Sequence, residues 1–117
     1  MDDAFIADYE SQFPLGWVEH RAAWQPGGRF AGWVGKHNAV VRINDVLFVH
    51  GGLDPHAPHV PLKRTNREIR EALKDGDFAR LMDESGPLWY RRLATTEADE
   101  DIAALDRLLD YHDAARI

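Results

Sequence analysis

The sequence contains no cysteine, so the chain can hold neither a disulfide nor a thiolate-bound metal. Histidine and carboxylates are left as its strong metal ligands. It has no long apolar run either, and nothing approaches the ~18 residues that a membrane-spanning helix needs, so a membrane segment is not expected. Basic side chains are in the minority, 14 Lys and Arg against 20 Asp and Glu, for a formal net charge of −6. With no basic stripe to offset that balance, a nucleic-acid backbone is opposed as a partner. The opening Met1-Asp2-Asp3-Ala4 is acidic where a secretory leader is basic and then apolar. The expectation is a soluble chain, cytoplasmic by default, without internal repeats or low-complexity tracts.

The 117 residues are 44% hydrophobic and 29% charged, the balance of a single globular unit with one modest core. The first third reads as short helices broken by turns. These are a helix over Asp2 to Gln12, a segment opening at Pro14, a Pro26-Gly27-Gly28 turn, and a segment from Arg29 to Lys36. Pro14 suits the first turn of a helix, and Trp17, Trp24 and Trp33, with Trp89 later, are expected in the core. Ala39–Ile43 and Val46–Val49 are β-branched and aromatic runs separated by Asn44-Asp45, which predicts an antiparallel hairpin. Val46–Val49 is apolar throughout, as for a strand buried on both faces. From Leu53 to Pro61 prolines exclude regular structure. Thr65-Asn66-Arg67-Glu68 has the spacing of a capping box, predicting a helix from Asn66 to about Lys74 that stops at Asp75-Gly76. A shorter helix over Asp77 to Asp83 follows. The last helix starts near Thr96, with Ile102, Leu105, Leu109 and His112 on its inner face, and Arg116-Ile117 reads as the start of a strand.

The local pattern with most chemical content is Val46-Leu47-Phe48-Val49-His50-Gly51-Gly52-Leu53-Asp54-Pro55. A buried strand delivers a histidine to its exposed end, and two glycines let backbone approach a bound group closely. On pattern alone, His50 is either a ligand to a divalent metal or a histidine hydrogen-bonded locally. His56 and His59 lie on the proline-rich loop and make no compact zinc motif with it, so they are expected as surface histidines. His20 and His37 are expected to be structural, and His112 to pack on the last helix. Asp83-Glu84 and the run Glu97 to Asp101 fall at a helix end and a helix start, where solvated negative charge is expected. Arg91 or Arg92 offers a guanidinium fork that matches phosphate oxygens.

Three blocks carry a resemblance: Phe13-Pro14-Leu15-Gly16-Trp17-Val18-Glu19-His20-Arg21, then Pro26-Gly27-Gly28-Arg29-Phe30, then Ile43 to Pro55. Together with Gly86-Pro87-Leu88-Trp89-Tyr90-Arg91, they resemble the bacterial Shewanella-like branch of the phosphoprotein phosphatases, calcineurin-like metallophosphoesterases. The resemblance implies an α/β (α+β mixed) fold, a layered αββα sandwich of which this chain supplies a single partial domain. Residues 1–37 would form a helical cap, 38–55 the hairpin and metal-ligand loop, and 62–117 a mainly helical remainder.

The resemblance also implies two divalent metal ions, manganese, iron or zinc, with His50 as a ligand to one of them and a metal-bridging hydroxide attacking a phosphomonoester. Substrates would be phosphorylated proteins, on serine, threonine or tyrosine, or small phosphomonoesters. It places a phosphate-binding arginine near Arg91, with Gly51 and Gly52 as loop backbone at the site. The sequence departs from the family at Asp54, where many relatives carry serine. It also lacks the Gly-Asp-x-His-Gly, Gly-Asp-x-x-Asp-Arg, Gly-Asn-His-Glu and Gly-His-Thr blocks that supply the other ligands. The chain is therefore expected to be an internal piece of such an enzyme, inactive alone. The alternative expectation is a non-catalytic binding module on a decayed phosphatase fold, using exposed aromatic surface.

Overall fold

A computed structural model describes residues 3–117 of the chain. The elements run α1 (Asp3–Gln12), α2 (Trp17–Trp24), α3 (Arg29–Val34), β1 (Val40–Ile43), β2 (Val46–Val49), α4 (Leu62–Asp75), α5 (Phe78–Leu81) and α6 (Asp99–Tyr111), with a 3-10 turn over Arg92–Ala94 before α6. Asp2, with which the first predicted helix opens, lies outside the described residues. Pro14 does not start α2. Its carbonyl instead accepts from Trp17 N at 2.9 Å, so it forms the turn that precedes the helix.

The hairpin forms as the alternation demands. β1 and β2 pair antiparallel with Val40 opposite Val49 and Ile43 opposite Val46, and Asn44 takes the positive φ of 55° that the two-residue turn requires. Because strand side chains alternate, Val40, Arg42, Leu47 and Val49 share one face and Val41, Ile43, Val46 and Phe48 the other. Only the first is well covered. Val40 and Leu47 are buried, whereas Ile43 and Phe48 are 55% and 51% exposed. The expectation of a strand buried on both faces is thus corrected, since among the described residues one layer alone, led by α4, packs on the sheet. On the edge of β2 away from β1, Arg116 makes a parallel bridge to Val46, with Leu47 N donating to Arg116 O at 2.8 Å.

α4 begins four residues before the predicted start, at Leu62, with Pro61 preceding it and no side-chain cap. Thr65 and Glu68 therefore lie inside the helix and form no capping box. Glu68 instead pairs with Arg64 one turn earlier and with Arg80 of α5, each at 2.9 Å, which draws its pKa below the ordinary carboxylate value through the Arg64 hydrogen bond first. Gly76 ends α4 at φ 70°, a left-handed conformation that favours glycine. α5 is shorter than the predicted 77–83 and is capped by Asp77, which accepts from Arg80 N. α6 starts at Asp99 rather than Thr96. Its buried positions are Asp101, Ala104 and Leu108, while Ile102 is 51% exposed, so the inner face is rotated from the predicted one.

The tryptophans are not core. Trp24, Trp33 and Trp89 are 40%, 63% and 43% exposed, and Trp17 stacks at 4.5 Å on Phe13 and 5.0 Å below the Arg21 guanidinium. Their apolar surface favours burial, but the elongated shape supplies too little interior to hold them. The radius of gyration is 19.0 Å, against about 13 Å for a compact chain of this length.

Candidate functional site

His50 follows the last residue of β2, and its side chain is exposed. Among the described residues no hydrogen bond or ion pair engages its imidazole, so the locally bonded alternative is not realised. The two glycines after it turn the chain beneath the segment 86–92. Pro87 O accepts from Gly51 N at 2.8 Å and from Gly52 N at 3.3 Å. A Cβ on Gly51 would lie 2.5 Å from Arg91 Nη1 and 2.7 Å from both Pro87 O and Leu88 C, closer than any side chain tolerates. Glycine at 51 is therefore a packing requirement. Gly52 is less crowded, its Cβ position falling 3.0 Å from the Tyr90 ring.

That close approach brings the histidine end of β2 and Arg91 to one place. Arg91 Nη1 donates to Tyr90 O at 3.1 Å and to Leu88 O at 3.4 Å. Among the described residues no hydrogen bond engages its Nε or Nη2, and the residue is exposed. Arg92 turns the other way, with Nη2 3.2 Å from Asp101 Oδ2. The two adjacent arginines thus face different partners, and Arg91 is the one against the glycine loop.

Asp101 departs from the sequence expectation. Its side chain is only 1% exposed, and it accepts from Thr96 Oγ1, from the His56 ring at 2.6 Å and from Arg92 at 3.2 Å. The Thr96 and His56 hydrogen bonds, then Arg92, hold its pKa down at about 2 against the opposing effect of burial. One expectation is corrected: Asp101 is not a solvated helix-start charge. His56 is a surface loop histidine as expected, 42% exposed, with its ring bonded to Asp101. Ala104 and Leu108, three and seven residues on, are the signal in the sequence that could have placed Asp101 on the buried face.

Beside Gly52 a cleft of about 120 Å³ is lined by Asp54, His59, Thr65, Ser85 and His112, among others. His59 Nε2 lies 3.3 Å from Pro55 O and its ring packs 5.4 Å from that of Tyr111. Burial, then the charges of His59 and Arg42, lower the His112 pKa from its ordinary value. The Tyr90 hydroxyl is buried without a hydrogen-bond partner among the described residues, and burial, then the Asp54 carboxylate, raises its pKa. His20 and His37 are local: His20 accepts from Trp24 Nε1 at 3.1 Å, and His37 Nδ1 lies 2.9 Å from Trp33 O.

At the end of β2 the described residues supply the exposed imidazole of His50 rather than a metal site. Among the described residues no group of three or more histidines and carboxylates is arranged to hold an ion. Among the described residues no helix is long and apolar enough to cross a membrane.

No family model matches the chain. It is similar to a solved structure of a cold-active protein-tyrosine phosphatase of a psychrophilic Shewanella species, with 27% identity over 70% of this chain and a TM-score of 0.56. A second similar structure, also of a cold-active protein tyrosine phosphatase, shares 29% identity over 70% of this chain with a TM-score of 0.53. In both cases the chain spans only 27% of the solved chain's length. The expected relationship to phosphatases holds at this level, at low identity, and the mixed helical and two-stranded architecture agrees with the α/β expectation.

Proposed function

We propose that the chain is a single partial domain of a metal-dependent, calcineurin-like phosphatase that hydrolyses phosphomonoesters. Residues 1–37 serve as its cap, 38–55 as the hairpin and ligand loop, and 62–117 as the helical remainder. His50 is a ligand to one of two divalent ions, manganese, iron or zinc. Gly51 and Gly52 present loop backbone at the site, and Arg91 grips the substrate phosphate. When bound, such ions lower the pKa of water and clamp phosphate oxygens; the remaining ligands come from outside these residues. Because both similar structures are of protein-tyrosine phosphatases, phosphotyrosine in a protein is the favoured substrate over phosphoserine, phosphothreonine and small phosphomonoesters.

The observation that supports this reading most is the seating of Gly51 against Pro87 and Arg91. It sets Gly51, next in the chain to a histidine that no hydrogen bond or ion pair engages among the described residues, against a guanidinium that keeps N–H groups for an anion, a fork matched to phosphate. The test is to sequence the DNA on both sides of the coding region in its source. The reading expects the Gly-Asp-x-His-Gly, Gly-Asp-x-x-Asp-Arg and Gly-Asn-His-Glu blocks upstream and Gly-His-Thr downstream in frame. Stop codons close to both ends would overturn it.

The exposed apolar face of Ile43 and Phe48 and the exposed Leu15 and Trp33 favour a second reading, a non-catalytic binding module that uses this surface as its interface. Stop codons at both ends, with no affinity for manganese or zinc, are the outcome that selects it.

A further inference from the structure

Residues 50–61 have no helix or strand, and 86–92 form turns that run into the 3-10 turn, yet these two segments carry the candidate site. Something other than helix or sheet hydrogen bonds must hold them in register. At one end the bond from Gly51 N to Pro87 O joins them. At the other, both reach the same carboxylate: His56 comes from the first segment, 2.6 Å from Asp101 Oδ1, and Arg92 from the second, 3.2 Å from Asp101 Oδ2. Thr96 ties the same group to the turn before α6.

Among the described residues Asp101 is the one buried side chain of a charged residue type. A buried ion pair is a poor source of net stability compared with apolar packing, whereas its directional bonds fix which segments meet and at what distance. Arg92 adjoins Arg91, so a bond that fixes Arg92 limits where Arg91 can lie against Gly51.

We infer that Asp101 is a positioning residue: through His56 and Arg92 it holds the His50-Gly51-Gly52 loop and Arg91 in the one arrangement in which they can share an anion. The inference rests on the phosphate-site reading above, and its test separates the two. In the full 117-residue chain, inorganic phosphate is titrated while the Arg91 Nε–H signal is followed by NMR. Amide exchange is measured at Gly51 and Val40.

For Asp101→Asn, which keeps the shape but lacks the charge that holds two cationic or N–H donors, the expected results are displaced Arg91 and Gly51 signals and faster Gly51 exchange. Phosphate affinity should weaken on the order of tenfold, and Val40 exchange should be unchanged. Arg91 and Gly51 signals that stay where they are in the wild type overturn the positioning role, whatever phosphate does. So does Val40 exchange that rises in step with Gly51, which marks general loosening. A wild-type chain in which phosphate moves no Arg91 signal overturns the anion-site reading itself. If Asp101→Asn does not fold, His56→Ala and Arg92→Gln replace it, and each is expected to displace the Arg91 and Gly51 signals; failure of both to do so overturns the inference.

Discussion

Asn66 of α4 grips both backbone groups of Val40 in β1: its Oδ1 accepts from Val40 N at 2.9 Å and its Nδ2 donates to Val40 O at 2.8 Å. Both residues are buried. This bond pair fastens α4 to the strand whose partner, β2, leads into His50. Removing it leaves two backbone groups buried and unpaired, at about 1–3 kcal/mol for each unsatisfied group. Asn66→Ala is expected to cost about 2–4 kcal/mol, measured as a lower urea midpoint at constant slope. A loss under 1 kcal/mol would mean that water replaces the amide.

A methyl group at position 51 has nowhere to go, because its neighbours are the Pro87 and Leu88 backbone as well as the Arg91 side chain. Gly51→Ala is expected to destabilise by about 1–3 kcal/mol and to weaken the Gly51 N to Pro87 O bond, seen as faster amide exchange. Gly52→Ala meets the Tyr90 ring at 3.0 Å and Tyr90 O at 3.1 Å, milder approaches than those at position 51, and should cost less. Equal effects at both positions would argue against the tight seating of the His-Gly-Gly turn.

Two acid transitions are expected, each with its own window. His112 has a folded-state pKa below the ordinary 6.5, so the unfolded chain binds the proton first. The corresponding stability is fully present above about pH 6.5 and declines as pH falls below it. Asp101, held at about 2 against an ordinary 3.8, contributes stability that is complete above about pH 4 and is lost as pH falls toward 2. Urea midpoints measured from pH 8 to 2 should show both slopes. His112→Gln should remove the upper slope and Asp101→Asn the lower one; an unchanged profile in either variant contradicts its assignment.

The adjacent arginines should respond differently to the same change. Arg91→Lys keeps the charge but loses the fork and should weaken inorganic phosphate binding on the order of tenfold, with little change in stability. Arg92→Lys loses its alignment with buried Asp101 and should lower the urea midpoint. Reversal of this pattern would move the anion site to Arg92.

The hairpin was legible because its signals are local: alternation, β-branched residues and a turn pair that accepts positive φ. The end of α4 at Gly76 was legible for the same reason. The start of α4 was not. Thr65 and Glu68 have capping-box spacing, but Leu62, Lys63 and Arg64 are equally good helix formers behind Pro61, and spacing alone does not say which start wins. Asp101 was hidden in a run of three acidic residues, Asp99, Glu100 and Asp101, all suited to a helix N-terminus. Which of them turns inward is decided by His56 and Arg92, 45 and 9 residues away. The site was legible at His50 and the glycines, whose pattern is contiguous. Its junction with Arg91 depends on a tertiary contact that no spacing encodes. The tryptophans misled because hydrophobicity records a preference for burial and not whether partners exist.

The most direct test of the central claim is phosphatase activity of the polypeptide encoded by the uninterrupted reading frame that contains these residues. It should be assayed with manganese on a phosphotyrosyl peptide, as wild type and as His50→Ala. The account predicts hydrolysis by the wild type and a loss on the order of 100-fold or more in the variant, as expected when a metal ligand is removed. Activity that survives His50→Ala unchanged, or a wild type that releases no phosphate, would contradict it.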